Sequence, residues 1–169
     1  MRPYVDLGGV KILPRPGLAL RLEIEEGSKR VVAVALDFAD STLQLQPFAA
    51  PRTSGLWQEI RGTITEQILR QGGEVVEAEG SLGPELHAKI PAPGQPDGVR
   101  LARFVGVDGP RWFLRGVISG KAAIDSEAAL QVEELFRSVV VVRGSTPMPP
   151  RELIPLNVPV PVPGAGITV

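Results

Sequence analysis

A stretch in the second half of the chain combines basic and aromatic side chains at close spacing. Between positions 100 and 121 lie Arg100, Arg103, Arg111, Arg115, Lys121, Phe104, Trp112 and Phe113. Guanidinium groups beside aromatic rings can neutralise phosphates and stack on bases, and arginine and tryptophan are also enriched at the centres of protein interfaces. The candidate binding residues are Arg103, Asp108, Arg111, Trp112 and Arg115. Arg111 and Trp112 stand beside a predicted turn, so they are the best anchors for a partner.

The overall charge argues against nucleic acid as that partner. The chain has 18 Lys and Arg residues against 19 Asp and Glu residues, which gives a formal net charge of -1. A near-neutral protein exerts a weak long-range field on polyanions. The simpler interpretation is that the aromatic residues belong to the core while the arginines lie along the sheet surface. We therefore expect a protein partner or a second copy of the chain, and neither nucleic acid nor a membrane.

The chain offers few residue types for catalysis. It has no cysteine and one histidine, which excludes disulfides, thiol catalysis and metal sites that need thiolates or two imidazoles. His87 lies in a predicted strand whose inner face is formed by Leu86, Ala88 and Ile90, so its imidazole is expected to point outward. No Gly-x-Ser-x-Gly turn, phosphate-binding loop or dinucleotide fingerprint occurs. The sequence thus predicts no catalytic residue, no metal and no cofactor.

The predicted secondary structure begins with three strands. Residues 18–25 alternate between apolar and polar, 31–36 are uniformly apolar, and 43–48 alternate again, as in an antiparallel meander. The inner face of the first strand is predicted to be Leu18, Leu20, Leu22 and Ile24.

Two helices are predicted from a change of period. Three- and four-residue spacing of Trp57, Ile60, Ile64 and Ile68 indicates a helix over 55–71. Ser54 is its expected N-cap, and Gly72 and Gly73 end it. A second helix, 126–137, is capped by Asp125. Its predicted inner face is Ala129, Val132, Leu135 and Phe136.

Further strands complete the predicted sheet. They cover residues 74–79, 86–90, 99–107, 112–118 and 139–143. The turn 108–111 joins two of them in a hairpin, although Pro110 argues against a simple type I′ loop. The element order predicts an α+β fold in which an antiparallel sheet packs against two main helices, about 55–71 and 126–137.

The end of the chain has its own composition. We divide the chain into a single α+β domain, 1–146, and a proline-rich apolar tail, 147–169. Because Pro159, Pro161 and Pro163 alternate with valines, an extended tail lacks N–H donors along one edge and keeps them along the other. The residues expected to dock, on this chain or a neighbour, are Leu156, Val158, Val160 and Val162. The alternative is an undocked polyproline II segment.

Several longer motifs point to a family. They are Leu45–Gln46–Pro47–Phe48–Ala49–Ala50–Pro51–Arg52, the run from Arg103 to Gly116, and Val140–Val141–Val142–Arg143–Gly144. With these motifs the chain resembles an actinobacterial family of unknown function, a resemblance that implies no activity, cofactor or catalytic residue. The element order is more distantly similar to the Mog1/PsbP-like fold of LpqN-type lipoproteins, but this chain lacks their lipobox cysteine and signal. With no secretory or membrane-spanning apolar run, the expected location is the cytoplasm.

Three classes of function follow from these observations. The favoured class is a non-catalytic domain that acts through protein contacts, including self-assembly through tails or sheet edges. The second is a small-ligand binder with a pocket between sheet and helices, lined by Trp57. The third and least favoured is a hydrolase that uses Asp or Glu without histidine.

Overall fold

The computed structural model describes residues 4–51, 55–95 and 98–157. The described strands are β1 (Val5–Asp6), β2 (Val10–Ile12), β3 (Ala19–Ile24), β4 (Val31–Phe38), β5 (Ser41–Ala49), β6 (Glu74–Gly80), β7 (Gly83–Pro91), β8 (Val99–Gly109), β9 (Trp112–Gly120) and β10 (Val140–Val141). The helices are α1 (Trp57–Arg70) and α2 (Ser126–Arg137), and a 3₁₀ turn, Lys121–Ala123, precedes α2.

Seven strands form one antiparallel sheet in the order β3-β4-β5-β9-β8-β7-β6. Buried and partly exposed residues alternate along β5, so that Leu43, Leu45 and Pro47 share the buried side of the strand. Strand β4, next to the terminal strand β3, is apolar on both faces, and its residues from Ala33 to Leu36 are almost fully buried. The predicted α+β class, with an antiparallel sheet and two helices, is confirmed.

The two helices lie over different halves of the sheet, on opposite faces. Under α1, one core cluster joins Trp57, Ile64 and Ile68 to Leu86, Ala88, Phe104 and Phe113. Under α2, the other joins Val132, Leu135 and Phe136 to Leu36, Leu43, Leu45 and Ile118. Within the described residues, this staggered arrangement leaves part of each face without a helix. Neither helix of the described chain is long and apolar enough to cross a bilayer.

A small second sheet and the C-terminal segment close one end of the α2 side. The small sheet has the order β1-β2-β10. Residues 151–157, here called the strap, run beside the end of β5, where β5 is no longer paired with β4. Ile154 donates its N–H to Pro47 and Asn157 donates to Leu7. The strap therefore ties the small sheet to the main sheet through backbone hydrogen bonds.

The helix predictions need two corrections. The N-cap of α1 is Leu56, without a cap hydrogen bond from its own side chain, and the predicted cap, Ser54, lies outside the described residues. In α2 the buried alanine is Ala128, whereas Ala129 is only half-buried. The predicted cap of α2 is confirmed, because the Asp125 carboxylate accepts a hydrogen bond from the N–H of Ala128.

The strand predictions also need two corrections. Ile24 is 49% exposed rather than inward, because the register of β3 shifts between Glu23 and Ile24 and breaks the alternation. The last strand is β10, shorter than the predicted 139–143, and it pairs with β2 of the small sheet. The predicted turn is confirmed. The ring of Pro110 fixes a negative φ there, while Arg111 has a positive φ of 64°, so the loop lacks the two positive φ angles of type I′.

Candidate functional site

A cleft and the side chains around it lie on β6, β7 and β8, on the sheet face opposite α1. Its side chains, here called the open face, are Glu74, Val76, His87, Lys89, Leu101 and Arg103. The strand register places Glu74 opposite Lys89, Val76 opposite His87, and His87 opposite Arg103. Directly opposed residues share a face of a sheet, so these side chains form one continuous surface across three strands.

The open face contains a cleft of about 290 Å³. Ala123 of the 3₁₀ turn forms part of its wall. Val76 is 64% exposed, and Ile124, next to Ala123 in sequence, is 72% exposed. Large aliphatic side chains at such exposure are candidates for contact with another molecule. The cleft joins this apolar surface to the charged groups of Glu74 and Lys89.

A buried ion network forms the inner end of the open face. Arg103 donates from Nε to Glu85 Oε2 at 2.8 Å and from Nη2 to Glu133 Oε2 at 2.8 Å. Ser81 donates from its hydroxyl to the other oxygen of Glu133. Gly80 leaves room for this arrangement, since a Cβ there would lie 1.9 Å from Glu85 Oε1. The network therefore cross-links α2 to β7 and β8.

The charges of this network stabilise one another. Burial by itself lowers the pKa of Arg103, but hydrogen bonds to Glu133 and Glu85 outweigh burial and hold that pKa above its ordinary value. Burial by itself raises the pKa of Glu133, but hydrogen bonds from Ser81 and Arg103 and the charge of Arg103 hold it below its ordinary value. Both groups are thus held in their charged forms, which suits a structural cross-link better than proton transfer.

His87 lies at the outer end of the network. Its side chain is 48% exposed, as the sequence predicts, and Nε2 is 3.5 Å from Glu85 Oε2. The Glu85 carboxylate is already engaged by Arg103 through two hydrogen bonds. Among the described residues no group of three or more His, Asp or Glu side chains is placed to hold a metal ion.

The structure does not bring the five predicted binding residues together. Arg103 and Arg115 belong to opposite faces, because Arg103 pairs with Ile118, three positions along β9 from Arg115. Arg103 is 6% exposed. The interpretation that the arginines lie along the sheet surface is therefore wrong for Arg103.

Asp108 has a structural contact that links the hairpin to α1. Its Oδ1 accepts hydrogen bonds from the N–H groups of Leu56 at 2.8 Å and Trp57 at 3.3 Å. Gly55 allows this approach, since a Cβ there would lie 2.5 Å from Asp108 Oδ2. Asp108 thus supplies the cap that the sequence assigns to Ser54.

The other three predicted residues pack within the chain. The Arg111 carbonyl accepts hydrogen bonds from Ala50 and from the Arg143 side chain. Trp112 is half-buried and lies over Gly109. The Arg115 guanidinium lies 5.6 Å from the Phe104 ring centre, and burial lowers its pKa.

Of the four tail residues predicted to dock, Leu156 lies within the described residues. Leu156 is 6% exposed and forms β-bridges with Gly8 and Val31 of its own chain. Val158, Val160 and Val162 lie outside the described residues.

The space around Trp57 is filled. Its ring is 4% exposed and stacks on Phe113 at 5.6 Å, and its N–H donates to the Pro84 carbonyl at 2.7 Å. A Cβ at Gly106 would lie 2.6 Å from the indole. The pocket that the ligand-binding alternative places at Trp57 is therefore occupied by core side chains.

Sequence reasoning missed Glu85, Glu133 and Ser81. A signal exists for Glu133, which falls within the apolar stripe of α2 beside Val132 and Phe136. A charged residue at such a position requires a buried partner. Nothing in the sequence identifies Arg103 as that partner, because thirty positions separate the two residues.

Comparison with known proteins adds two findings. The solution structure of cyanobacterial PsbP (CyanoP) from Synechocystis sp. PCC 6803 is similar, with a TM-score of 0.47 and 13% identity over 80% of this chain and 88% of that chain. No curated protein matches the sequence. Residues 1–163 match the model of a family described as protein of unknown function, DUF3710. The chain therefore belongs to the DUF3710 family.

Proposed function

We propose that this chain is a non-catalytic domain that binds an extended segment of protein along β6 and the adjoining open face. The observation that carries the proposal is the free edge of β6. No described strand pairs with its outer side, and β6 is the last strand of the seven-stranded sheet. A free edge offers backbone donors and acceptors to an added strand, which is a common mode of peptide recognition.

The regularity of β6 supports this choice over the other terminal strand, β3. The pairing of β6 with β7 runs without a shift from Glu74 and Lys89 to Gly80 and Gly83. By contrast, β3 has a register shift between Glu23 and Ile24. Such irregularities protect edges from further pairing, so β6 is the better template for an added strand.

Side chains beside β6 would supply specificity. Backbone hydrogen bonds give affinity in strand addition, and pockets for side chains select the partner. The exposed Val76 lies next to the cleft. A segment on β6 could therefore bury Val76 and place a side chain in the cleft.

The buried acids support a non-catalytic assignment. Glu85 and Glu133, the two buried carboxylates behind the cleft, are engaged by the cleft residue Arg103. A general acid or base needs a carboxyl group that can exchange its proton near the working pH. Glu133 is held in its charged form by its partners, so the hydrolase hypothesis receives no support from this network.

Photo-crosslinking tests the proposal. A benzoylphenylalanine at position 76 is compared with one at position 24, since Val76 and Ile24 are both exposed aliphatic residues on terminal strands. In extract of the organism that makes the protein, position 76 should give a discrete crosslinked protein, identified by mass spectrometry, and position 24 should not. Equal or no crosslinking at both positions would contradict the proposal.

A small ligand in the same cleft is the second candidate, favoured by a volume near the lower end for ligand sites. Native mass spectrometry of protein isolated from its own organism should then show a mass adduct. The substitution Leu101→Trp, which fills the cleft from its wall, should remove that adduct. Absence of an adduct in the unsubstituted protein would exclude this candidate.

A further inference from the structure

We propose that the segment bound by β6 is residues 158–163 of a second copy of this chain. This inference rests on the proposed function and names its partner. It combines three observations: the donor pattern of that segment, the position of Leu156 in the sheet, and the edge of β6 that no described strand pairs with.

The donor pattern suits a strand with one binding edge. Residues 158–163 read Val-Pro-Val-Pro-Val-Pro. In an extended chain, N–H groups of alternate residues point to the same side. The valines therefore donate along one edge, while the prolines have no N–H for the other.

Distance excludes pairing of this segment with β6 of its own molecule. Leu156 forms a bridge with Val31 of β4, and five strand steps separate β4 from β6. Neighbouring strands lie about 4.8 Å apart, so the lateral separation is about 24 Å. Val158, only two residues after Leu156, extends at most about 7 Å from it. The segment must therefore come from another molecule to lie along β6.

The composition of the segment also suits its binding place. All side chains of residues 158–163 are uncharged, and alternate side chains of a strand share a face. The three valines can therefore pack together against the exposed Val76. The outer edge of the added strand lacks donors, which stops growth of the sheet beyond it. Reciprocal exchange between two molecules gives a closed dimer.

Sedimentation equilibrium of purified protein tests the exchange. The full chain should have twice the 18.0 kDa mass of one chain, and a chain ending at Asn157, which keeps the strap, should be a monomer. Val76→Lys should also be a monomer, while the matched control Ile24→Lys should stay dimeric. Circular dichroism shows that each variant is folded. A monomeric full chain, or a dimer that survives loss of residues 158–169, would overturn the inference.

A peptide experiment tests the backbone pairing itself. A labelled peptide of residues 156–164 should bind the chain ending at Asn157, as measured by fluorescence anisotropy. N-methylation of the peptide nitrogens of Val158, Val160 and Val162 removes the donors and should weaken binding at least tenfold. Equal binding of both peptides would refute strand addition by this segment.

The two proposals fail in different ways. If position 76 crosslinks to another protein while the full chain is a monomer, the inference is wrong and the proposed function stands. If position 76 crosslinks to nothing and the peptide does not bind, both are wrong. If the crosslink joins position 76 to residues 158–163 of a second copy, both are supported.

Discussion

A single carboxylate connects the late hairpin to the first helix. Asp108 accepts hydrogen bonds from two N–H groups at the start of α1, which have no partner within the helix. Its partners lie about fifty positions earlier in the chain. A cap from a distant strand therefore contributes to tertiary structure as well as to the helix.

We expect Asp108→Ala to lower the free energy of unfolding by about 1–2 kcal/mol, the usual effect of removing a helix cap. Asp108→Asn keeps an acceptor oxygen and should lose less. Urea denaturation measures both, and Asp125→Ala, which removes the local cap of α2, is the matched comparison. An Asp108→Ala variant as stable as the parent would show that the two hydrogen bonds contribute nothing.

The buried network predicts a dependence of stability on pH. The pKa of Glu133 is lower in the folded protein than its ordinary value of 4.5. The folded state therefore binds fewer protons, so the stabilisation is complete above about pH 4.5 and is lost as the pH falls through the folded pKa.

Glu133→Gln should reduce stability at pH 7 by about 1–3 kcal/mol, since a hydrogen bond to a charged group is lost. Below pH 4 the difference from the parent should shrink, because the parent loses the same contribution. Urea denaturation at pH 7, 5 and 3.5 measures this, with the exposed Glu134→Gln as control. If the free energies of unfolding of the parent and of Glu133→Gln differ by the same amount at all three pH values, the stabilising role of the Glu133 charge is contradicted.

Helix α1 contains a glycine that weakens it. Gly62 lies in the middle of the helix and is exposed, and a Cβ built there would meet nothing within 4 Å beyond its chain neighbours and the backbone of the helix itself. We expect Gly62→Ala to stabilise the protein by about 0.5–1 kcal/mol. Gly72 has a positive φ of 85° beyond the helix, so Gly72→Ala should destabilise by about 1–2 kcal/mol. In thermal unfolding, Gly62→Ala should raise the midpoint temperature and Gly72→Ala should lower it. Shifts of the midpoint in the same direction would refute the backbone argument.

The elements themselves were largely predictable from hydrophobic spacing. The long strands and both helices follow periods of two and 3.6 residues, which depend on neighbours in sequence. The short β1 and β2 gave no such signal, because two or three residues are too few for a period. The pairing of β10 with β2 depends on contacts between distant parts of the chain. The contacts of the predicted binding residues could not be predicted for the same reason, since they involve distant partners such as Leu56 and Glu133.

The strap fills a gap that the main sheet leaves open between β4 and β5. Ile154 and Leu156 are almost fully buried, and the strap exchanges backbone hydrogen bonds with Pro47, Ala49 and Leu7. Close contact requires glycine on the facing segment, since a Cβ at Gly9 would lie 2.9 Å from Ile154 Cγ2. The strap is therefore part of the fold rather than an appendage.

Removal of the strap should cost far more stability than removal of the residues after it. Burial of the Ile154 and Leu156 side chains contributes about 3–6 kcal/mol together, a large part of the 5–15 kcal/mol that typically holds a domain folded. A chain ending at Gly144 should therefore unfold at a much lower temperature than the full chain. A chain ending at Asn157 should unfold at the same temperature as the full chain when both carry Val76→Lys, the substitution expected to keep them monomeric. Calorimetry decides this. If the chain ending at Gly144 melts with the other two, the strap does not stabilise the sheet. If it melts lower, any loss of assembly in that chain reflects a disrupted end of the sheet, and only the chain ending at Asn157 can test exchange of residues 158–163.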